Sequence, residues 1–489
     1  MNTSSKPSIY KGQNATLSAL FHRAGSPRKV LCVALDYAKS KHLALCCDGN
    51  GDVLKQSFPV ENSRAGVDFL VEQVATTARR RKIPADQIFL GGEDEPPYVS
   101  NFLAALRAEG LLVVRVNAFE AKENRSSHLA STDEIDVLGI AKTLISRRAR
   151  STEPAGDPVY QHLRELARYR RTLVRQKTSC SNRIHAIADQ LFPGFLSPSR
   201  SGLTSFCEAS LKLMEKRFSA PEVARRKPSS LADTLRRNKN QQPEETAARI
   251  IELARNALPP GSDRLPTLQR TLTTAVELYR CLDHSARDLR AEAAQALART
   301  PYALLTSVPG IGFVLAAGLA GELGPPERQT SLDRLCGYAG IVPRTYQTGG
   351  PDKPAVQGHV GPRCNRILKD WVVQSSQKLR LYGPPEIRDR IIRWNNNGQH
   401  GVFAGARRYL RLTLSLTHGG VPYLDPCARN RNAAPEDVEV GARATWEVLC
   451  RKWRTIPGGI GLITDEAHPV GFWRRVIRET HGIHLPGKG

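Results

Sequence analysis

The chain has 489 residues, more than a single hydrophobic core accommodates, so about two to four domains are expected. Lys and Arg number 71 against 47 Asp and Glu, a formal charge of +24 that points to a polyanionic partner, most often nucleic acid, without specifying a chemistry. Aromatic residues at 6% are too few for base-stacking platforms, the ten cysteines contain no C-x-x-C pair for a zinc ribbon, and no apolar run approaches the roughly 20 residues of a membrane span.

The first stretch, "MNTSSKPSIYKGQNATLSALFHRAGSPRKV", lacks the continuous apolar segment of a signal peptide. Residues 1–28 are expected to be a mobile basic arm, and scattered cysteines suit a reducing cytoplasm. Residues 29–150 carry an alternation of elements. "VLCVALDYAKSKHLALCCDGNGDVLKQSFPV" contains three strands, the second and third joined at Asp48-Gly49-Asn50-Gly51, where the turn demands positive φ. An amphipathic helix follows in "SRAGVDFLVEQVATTARRRK". Next come a buried strand "QIFLGGED", a helix "PYVSNFLAALRAEG" and a strand "LLVVRVNA". The order β-β-β-α-β-α-β-α describes an α/β domain that opens with a meander.

The last helix of that domain begins in "STDEIDVLGIAKTL". Ser131 followed by Glu134 forms a capping box, and acids in a first turn complement the helix dipole. Glu134 is accounted for in this way. Asp133 and Asp136 share one face, while Ile135, Leu138, Ala141 and Leu144 form the apolar stripe.

From 151 to 300 the pattern turns helical and basic, as in a coiled-coil region. Arg164, Arg168, Arg171 and Arg175 recur along one stripe, which is either a solvated charged face or a surface that meets phosphates. Residues 301–425 begin with "LLTSVPGIGFVLAAGLAGELG", where Pro309-Gly310-Ile311-Gly312 between apolar helices matches a helix-hairpin-helix. Amides beside Gly310 and Gly312 can meet a phosphate, or the motif is a plain helix-helix turn. Residues 426–489 read as an appended helical unit with no assignable chemistry.

The acids of the α/β domain form a set. Asp36 ends "LCVALD" and Glu93 ends "IFLGGE". A carboxylate at a buried strand end costs several kcal/mol unless it is paired or metal-bound. Together with Asp133 and Asp136, these acids make a convergent cluster that repels itself and calls for cations. Two divalent ions about 3.5–4 Å apart would suit it and would clamp both oxygens of a phosphodiester exchange.

With those residues in place, the order "VALDYAKSKH", "GGEDEPPYVSNFLAALRAEGLLVVRVNA", "STDEIDVLGIA" resembles the DEDD-type recombinase domain of insertion-sequence 110 transposases, the family that includes Piv-type invertases. The segments "VPGIGFVLAAGLAGELG", "LDRLCGYAGIVPRTYQTGG" and "GPRCNRILKDWVVQSS" are similar to that family's C-terminal domain. The resemblance covers roughly residues 30–425. It implies an RNase H-like (RuvC-like) fold, a DEDD site of Asp36, Glu93, Asp133 and Asp136 holding two Mg2+ or Mn2+, and DNA recombination. It also implies nucleic-acid contacts by Arg344, Arg363, Asn365 and Arg366, a structured noncoding guide RNA, and a homodimer or homotetramer. Where the family carries a nucleophilic serine, this chain has Thr348. Threonine keeps the hydroxyl but adds a methyl that restricts χ1. Thr348 is therefore expected to be the nucleophile. The rival readings are a metal-dependent junction resolvase that uses water, and a silent DNA-binding derivative.

Overall fold

A computed structural model of the chain describes residues 14–93, 97–125, 132–148, 150–151, 158–215, 218–329, 331–343, 345–347, 356–357, 365–396, 401–423 and 434–486. The chain divides into two compact units, Met1–Ala155 and Gly156–Gly489.

The first unit is built on a six-stranded sheet: β1 (Leu31–Asp36), β2 (Lys41–Asp48), β3 (Val53–Glu61), β4 (Ile88–Glu93), β5 (Leu112–Val116) and β6 (Arg150–Ser151), in the order β3-β2-β1-β4-β5-β6. The β2–β3 pair is antiparallel, as the turn residues predict, and so is β1–β2, while β1–β4 and β4–β5 are parallel. Strand β1 is an unbroken apolar run because both of its faces are covered. Leu31, Val33 and Leu35 enter a core with α2 (Arg64–Arg81) and α3 (Ser100–Ala108). Cys32 and Ala34 enter the opposite core, with α5 (Asp133–Ile145) and α1 (Ala15–Ala24). A Cβ at Gly91 would stand 2.7 Å from Leu144 Cδ2, so glycine there lets α5 lie directly on the sheet. Between β5 and α5 runs the short α4 (Ala118–Glu123).

Residues 14–28 depart from the expected mobile arm. Asn14 caps α1 through its side chain, and Leu17, Leu20, Phe21 and Ala24 are buried against the sheet. The amphipathic spacing of "LSALFHRA" was the signal that overall polarity hid.

The second unit is helical apart from two short strands. A long helix, α6 (Val159–Leu191), is followed by α7 (Pro198–Ser201), α8 (Glu208–Met214), α9 (Ala220–Ala224), α10 (Pro228–Arg237), α11 (Pro243–Asn256) and another long helix, α12 (Leu265–Ala298). Helices α6 and α12 pair antiparallel, with His162 beside Glu292 at 3.3 Å near one end and Lys177 beside Asp283 at 2.9 Å further along. Their middle and far portions share one core with α8–α11, and their near ends share another with the rest of the unit. That other core takes in α13 (Phe313–Leu323), α14 (Leu332–Tyr338), α15 (Arg366–Tyr382), α16 (Pro385–Asn396), α17 (Gly401–Gly419), α18 (Pro435–Trp453), α19 (Gly459–Thr464) and α20 (Pro469–His481). The segment read as appended is thus no separate unit: Trp446, Trp453 and Trp473 lie in the same core as Leu304, Ile311 and Ala316.

Candidate active site and the arginine stripe

Parallel pairing of β1 with β4 sets Leu35 opposite Gly92, so Asp36 and Glu93 emerge at neighbouring strand ends. A Cβ at Gly92 would come within 2.3 Å of the Leu35 carbonyl and 2.5 Å of the Tyr37 ring, so glycine is required for this close approach. Helix α5 starts beside them with Asp133 and Asp136 in its first turn. Its N-cap is Thr132, whose hydroxyl accepts from the Ile135 amide at 3.3 Å. The expected cap Ser131 lies outside the described residues. Glu134 stands exposed in the first turn, so its favourable interaction is with the helix dipole.

Asp36 feels the charges of two of the other three acids. Burial raises the Asp36 carboxyl from its ordinary value of 3.8 to about 6, and the charges of Asp133 and Asp136 push in the same direction. Cationic compensation is therefore expected here.

Some of that compensation comes from a residue that sequence reading missed. Arg125 follows α4, and its guanidinium stands 2.9 Å from Asp136 Oδ1 and 3.8 Å from Glu93 Oε1. It also opposes the upward shift of Asp36. All three ion-pair side chains are largely buried, at 15% exposure for Arg125, 24% for Glu93 and 19% for Asp136. The guanidinium is placed by its neighbours. Asn124 donates to the Thr143 hydroxyl at 2.9 Å, which ties the end of α4 to α5. Gly139 leaves room for the arginine stem, since a Cβ there would meet Arg125 Cγ at 3.0 Å. The glycine within "DVLGIA" was the one available clue in the sequence.

Hard oxygen donors that repel one another are the donor chemistry that Mg2+ or Mn2+ prefers. Among the described residues, no group of three acid, imidazole or thiol side chains is gathered at separations that would hold one ion. The donor set thus fits a divalent ion in type and charge, while Arg125 bridges two of its members.

The arginine stripe of the second unit faces protein. Arg164 Nε donates to the Gly321 carbonyl at 2.7 Å. Arg168 makes a two-pronged bond to Glu322, at 2.8 and 2.9 Å, and Arg171 pairs with Asp370. Three of the four therefore clamp α6 onto α13 and α15, and Arg175 stands exposed. Glu322 is 3% exposed and also accepts from Asn365 Nδ2 at 2.8 Å. Asn365 Oδ1 in turn caps α15, accepting from the amides of Ile367 and Leu368. Asn365, expected at a nucleic-acid surface, thus serves as a helix cap and network member, while Arg366 beside it is exposed. Thr348, Arg344 and Arg363 lie outside the described residues. Strands β7 (Thr345–Tyr346) and β8 (Val356–Gln357) pair antiparallel. Gly310 has φ +84°, and Gly312 is the N-cap of α13.

Comparison with known proteins bears on both regions. A family model for DEDD-type insertion-sequence 110 transposases matches residues 33–193, the stretch that carries all four acids. Another, described as "Transposase IS116/IS110/IS902 family", matches residues 302–389. The chain belongs to the IS110 family of transposases. Like other members it is a DNA transposase, an enzyme of transposition by an insertion sequence. The "Insertion element IS116 uncharacterized 44.8 kDa protein" of Streptomyces clavuligerus is 25% identical over 371 residues, which are 75% of this chain and 88% of that one. The "Transposase for insertion sequence element IS1328" of Yersinia enterocolitica is 33% identical over 131 residues, 26% of this chain and 38% of that protein. The IS110-family matches span both units but stop short of α18–α20.

Proposed function

We propose that this IS110-family transposase breaks and rejoins DNA at the carboxylate end of its sheet. The observation that carries this reading is the mutual repulsion of Asp36, Asp133 and Asp136 beside Glu93, at a site where Arg125 supplies part of the balancing charge. The sheet order, with an antiparallel β3-β2-β1 half and a parallel β1-β4-β5 half, supports an RNase H-like assignment. Asp36, Glu93, Asp133 and Asp136 would hold Mg2+ or Mn2+, which would supply Lewis-acid stabilisation of charge on the phosphate oxygens. The protein's own part is to converge the acids, orient them from two strand ends and a helix start, and deliver the Thr348 hydroxyl. Attack by Thr348 Oγ1 on phosphorus would form a protein–phosphate ester and release a sugar hydroxyl, and the reverse attack by another strand would rejoin the DNA. The PGIG turn and Arg366 would hold the backbone of that DNA. Family resemblance adds a structured noncoding RNA as guide and a dimer or tetramer as the working assembly.

The test is a denaturing gel of the full chain incubated with its flanking DNA, the flanking transcript and Mg2+. A covalent band whose linkage maps to Thr348, and which is lost in Thr348→Ala and Asp133→Ala, is the expected result. Cleaved DNA with no adduct, unaffected by Thr348→Ala, would replace the covalent route with a water-using resolvase. Neither product with any divalent ion would leave a DNA-binding derivative.

A further inference from the structure

The α18–α20 segment lies outside both family matches, and its place in the core gives it a task. Helix α18 carries Lys452, whose ammonium donates to three main-chain carbonyls, those of Thr306, Val308 and Ile311, at 2.6, 2.7 and 2.7 Å. All three carbonyls belong to the approach to the Pro309–Gly312 turn and the turn itself. The next residue, Trp453, is fully buried; its indole N–H donates to the Thr306 hydroxyl at 3.0 Å and its ring packs on Phe313 at 4.8 Å. An apolar residue at position 452 would remove all three bonds, leaving Val308 O only its bond from the Ile311 amide.

Beside this turn is a pocket of about 540 Å³, lined in part by Gly310, Gly312, Arg290, Lys378, Arg451 and Lys452, with no acidic side chain among the described lining residues. Two of those four basic side chains come from α18, and of these Arg451 is the exposed one. Gly312 caps α13 with no side-chain bond to the first turn, and a Cβ built there would meet no protein atom within 4 Å. The first amides of an eleven-residue helix thus face open space ringed by positive charge.

We propose that α18 completes a binding site for a nucleic-acid phosphodiester backbone at the PGIG turn, with Lys452 as the positioning residue of the turn and Arg451, Arg290 and Lys378 as the phosphate-facing cations. The proposal rests on the transposase reading above and gives the C-terminal segment a share in holding its substrate.

The experiment is titration of the full chain with a short duplex DNA and a duplex RNA of the same sequence, over a range of salt, by fluorescence anisotropy. Arg451→Gln changes an exposed side chain, and it should lower the salt slope by about 0.9, one phosphate contact. Gly312→Ala should weaken binding about tenfold with Tm unchanged, because the added methyl meets ligand and not protein. Lys452→Met should weaken binding similarly and speed hydrogen exchange of the amides of residues 310–313. Loss on the DNA arm or on the RNA arm supports the site and identifies its backbone. Wild-type affinity and slope for Arg451→Gln and Gly312→Ala on both arms would overturn it, even where the wild-type chain still forms its covalent DNA adduct. A wild-type chain that binds neither duplex would overturn the nucleic-acid reading and this site together.

Discussion

As sequence patterns, the acid cluster of the first unit and the arginine stripe of the helical unit are alike: like charges, regularly placed, on one face. In the structure they differ. The acids converge beside the guanidinium of Arg125, whereas three of the four arginines have individual protein partners. An acid at a buried strand end has few ways to be stable, so its position alone is informative. An arginine on a helix face has many, because its partner can come from anywhere in the chain. Arg164 and Arg168 find theirs 157 and 154 residues away, a separation over which spacing says nothing.

The largest effect should come from the acids. Asp36→Asn or Asp136→Asn should lower strand transfer at least 100-fold, by analogy with the loss of one preorganised electrostatic group. The fold should persist in Asp36→Asn, which removes a repelling charge, whereas Asp136→Asn also takes the 2.9 Å partner from the largely buried Arg125 and should cost some stability. Quantitative adduct formation beside circular dichroism checks both halves. An active Asp36→Asn chain would mean that the cluster is structural, and the contrast with the stripe would collapse.

The clamp should respond in the opposite sense. Glu322→Gln leaves Arg168 with half of its two-pronged partner and no balancing charge. The loss should be about 2–3 kcal/mol by urea denaturation, below the 3–5 kcal/mol of a fully buried pair because Arg168 is 45% exposed. The same variant should free no phosphate contact, so its salt slope for DNA should match the wild type.

Much of the first unit was legible in its residues. The Asp-Gly-Asn-Gly turn, the β1 apolar run and the strand-end positions of Asp36 and Glu93 are local signals, and each has its counterpart in the sheet. Arg125 was hidden because its neighbours on both sides suggest an ordinary connection and its acids lie on other elements. The cap of α5 moved by one residue, from Ser131 to Thr132, since two adjacent hydroxyl residues offer the same chemistry. In the helical unit the helices were visible but the clamp and the role of Lys452 were not, because both depend on contacts between distant segments.

The acid cluster also carries a pH signature. Asp36 titrates at about 6 in the folded chain against 3.8 ordinarily, so between those values the folded state binds the extra proton. Its contribution to stability is therefore present below about 3.8 and is lost as pH rises through about 6. Denaturation in chelator should show this loss, Asp36→Asn should flatten it, and Arg125→Gln should deepen it by removing the charge that opposes the shift. Added Mg2+ should restore stability at the upper end of the window. A wild-type profile in chelator that rises across this range would contradict the mutual repulsion of the acids.

The smallest effect isolates the fourth member of the stripe. Arg175 is the fourth arginine of a row whose other three guanidiniums engage Gly321, Glu322 and Asp370. If engagement with protein separates the two uses of arginine, Arg175→Gln should leave the urea midpoint within about 0.5 kcal/mol of wild type, the usual range for a surface change. It should nonetheless lower the salt slope for duplex DNA by about 0.9. Arg168→Gln should do the reverse, costing stability with little change in slope. Equal stability losses in the two variants would show the clamp to run the full length of the row, and equal slope losses would show that the Glu322 pair opens to let a phosphate in.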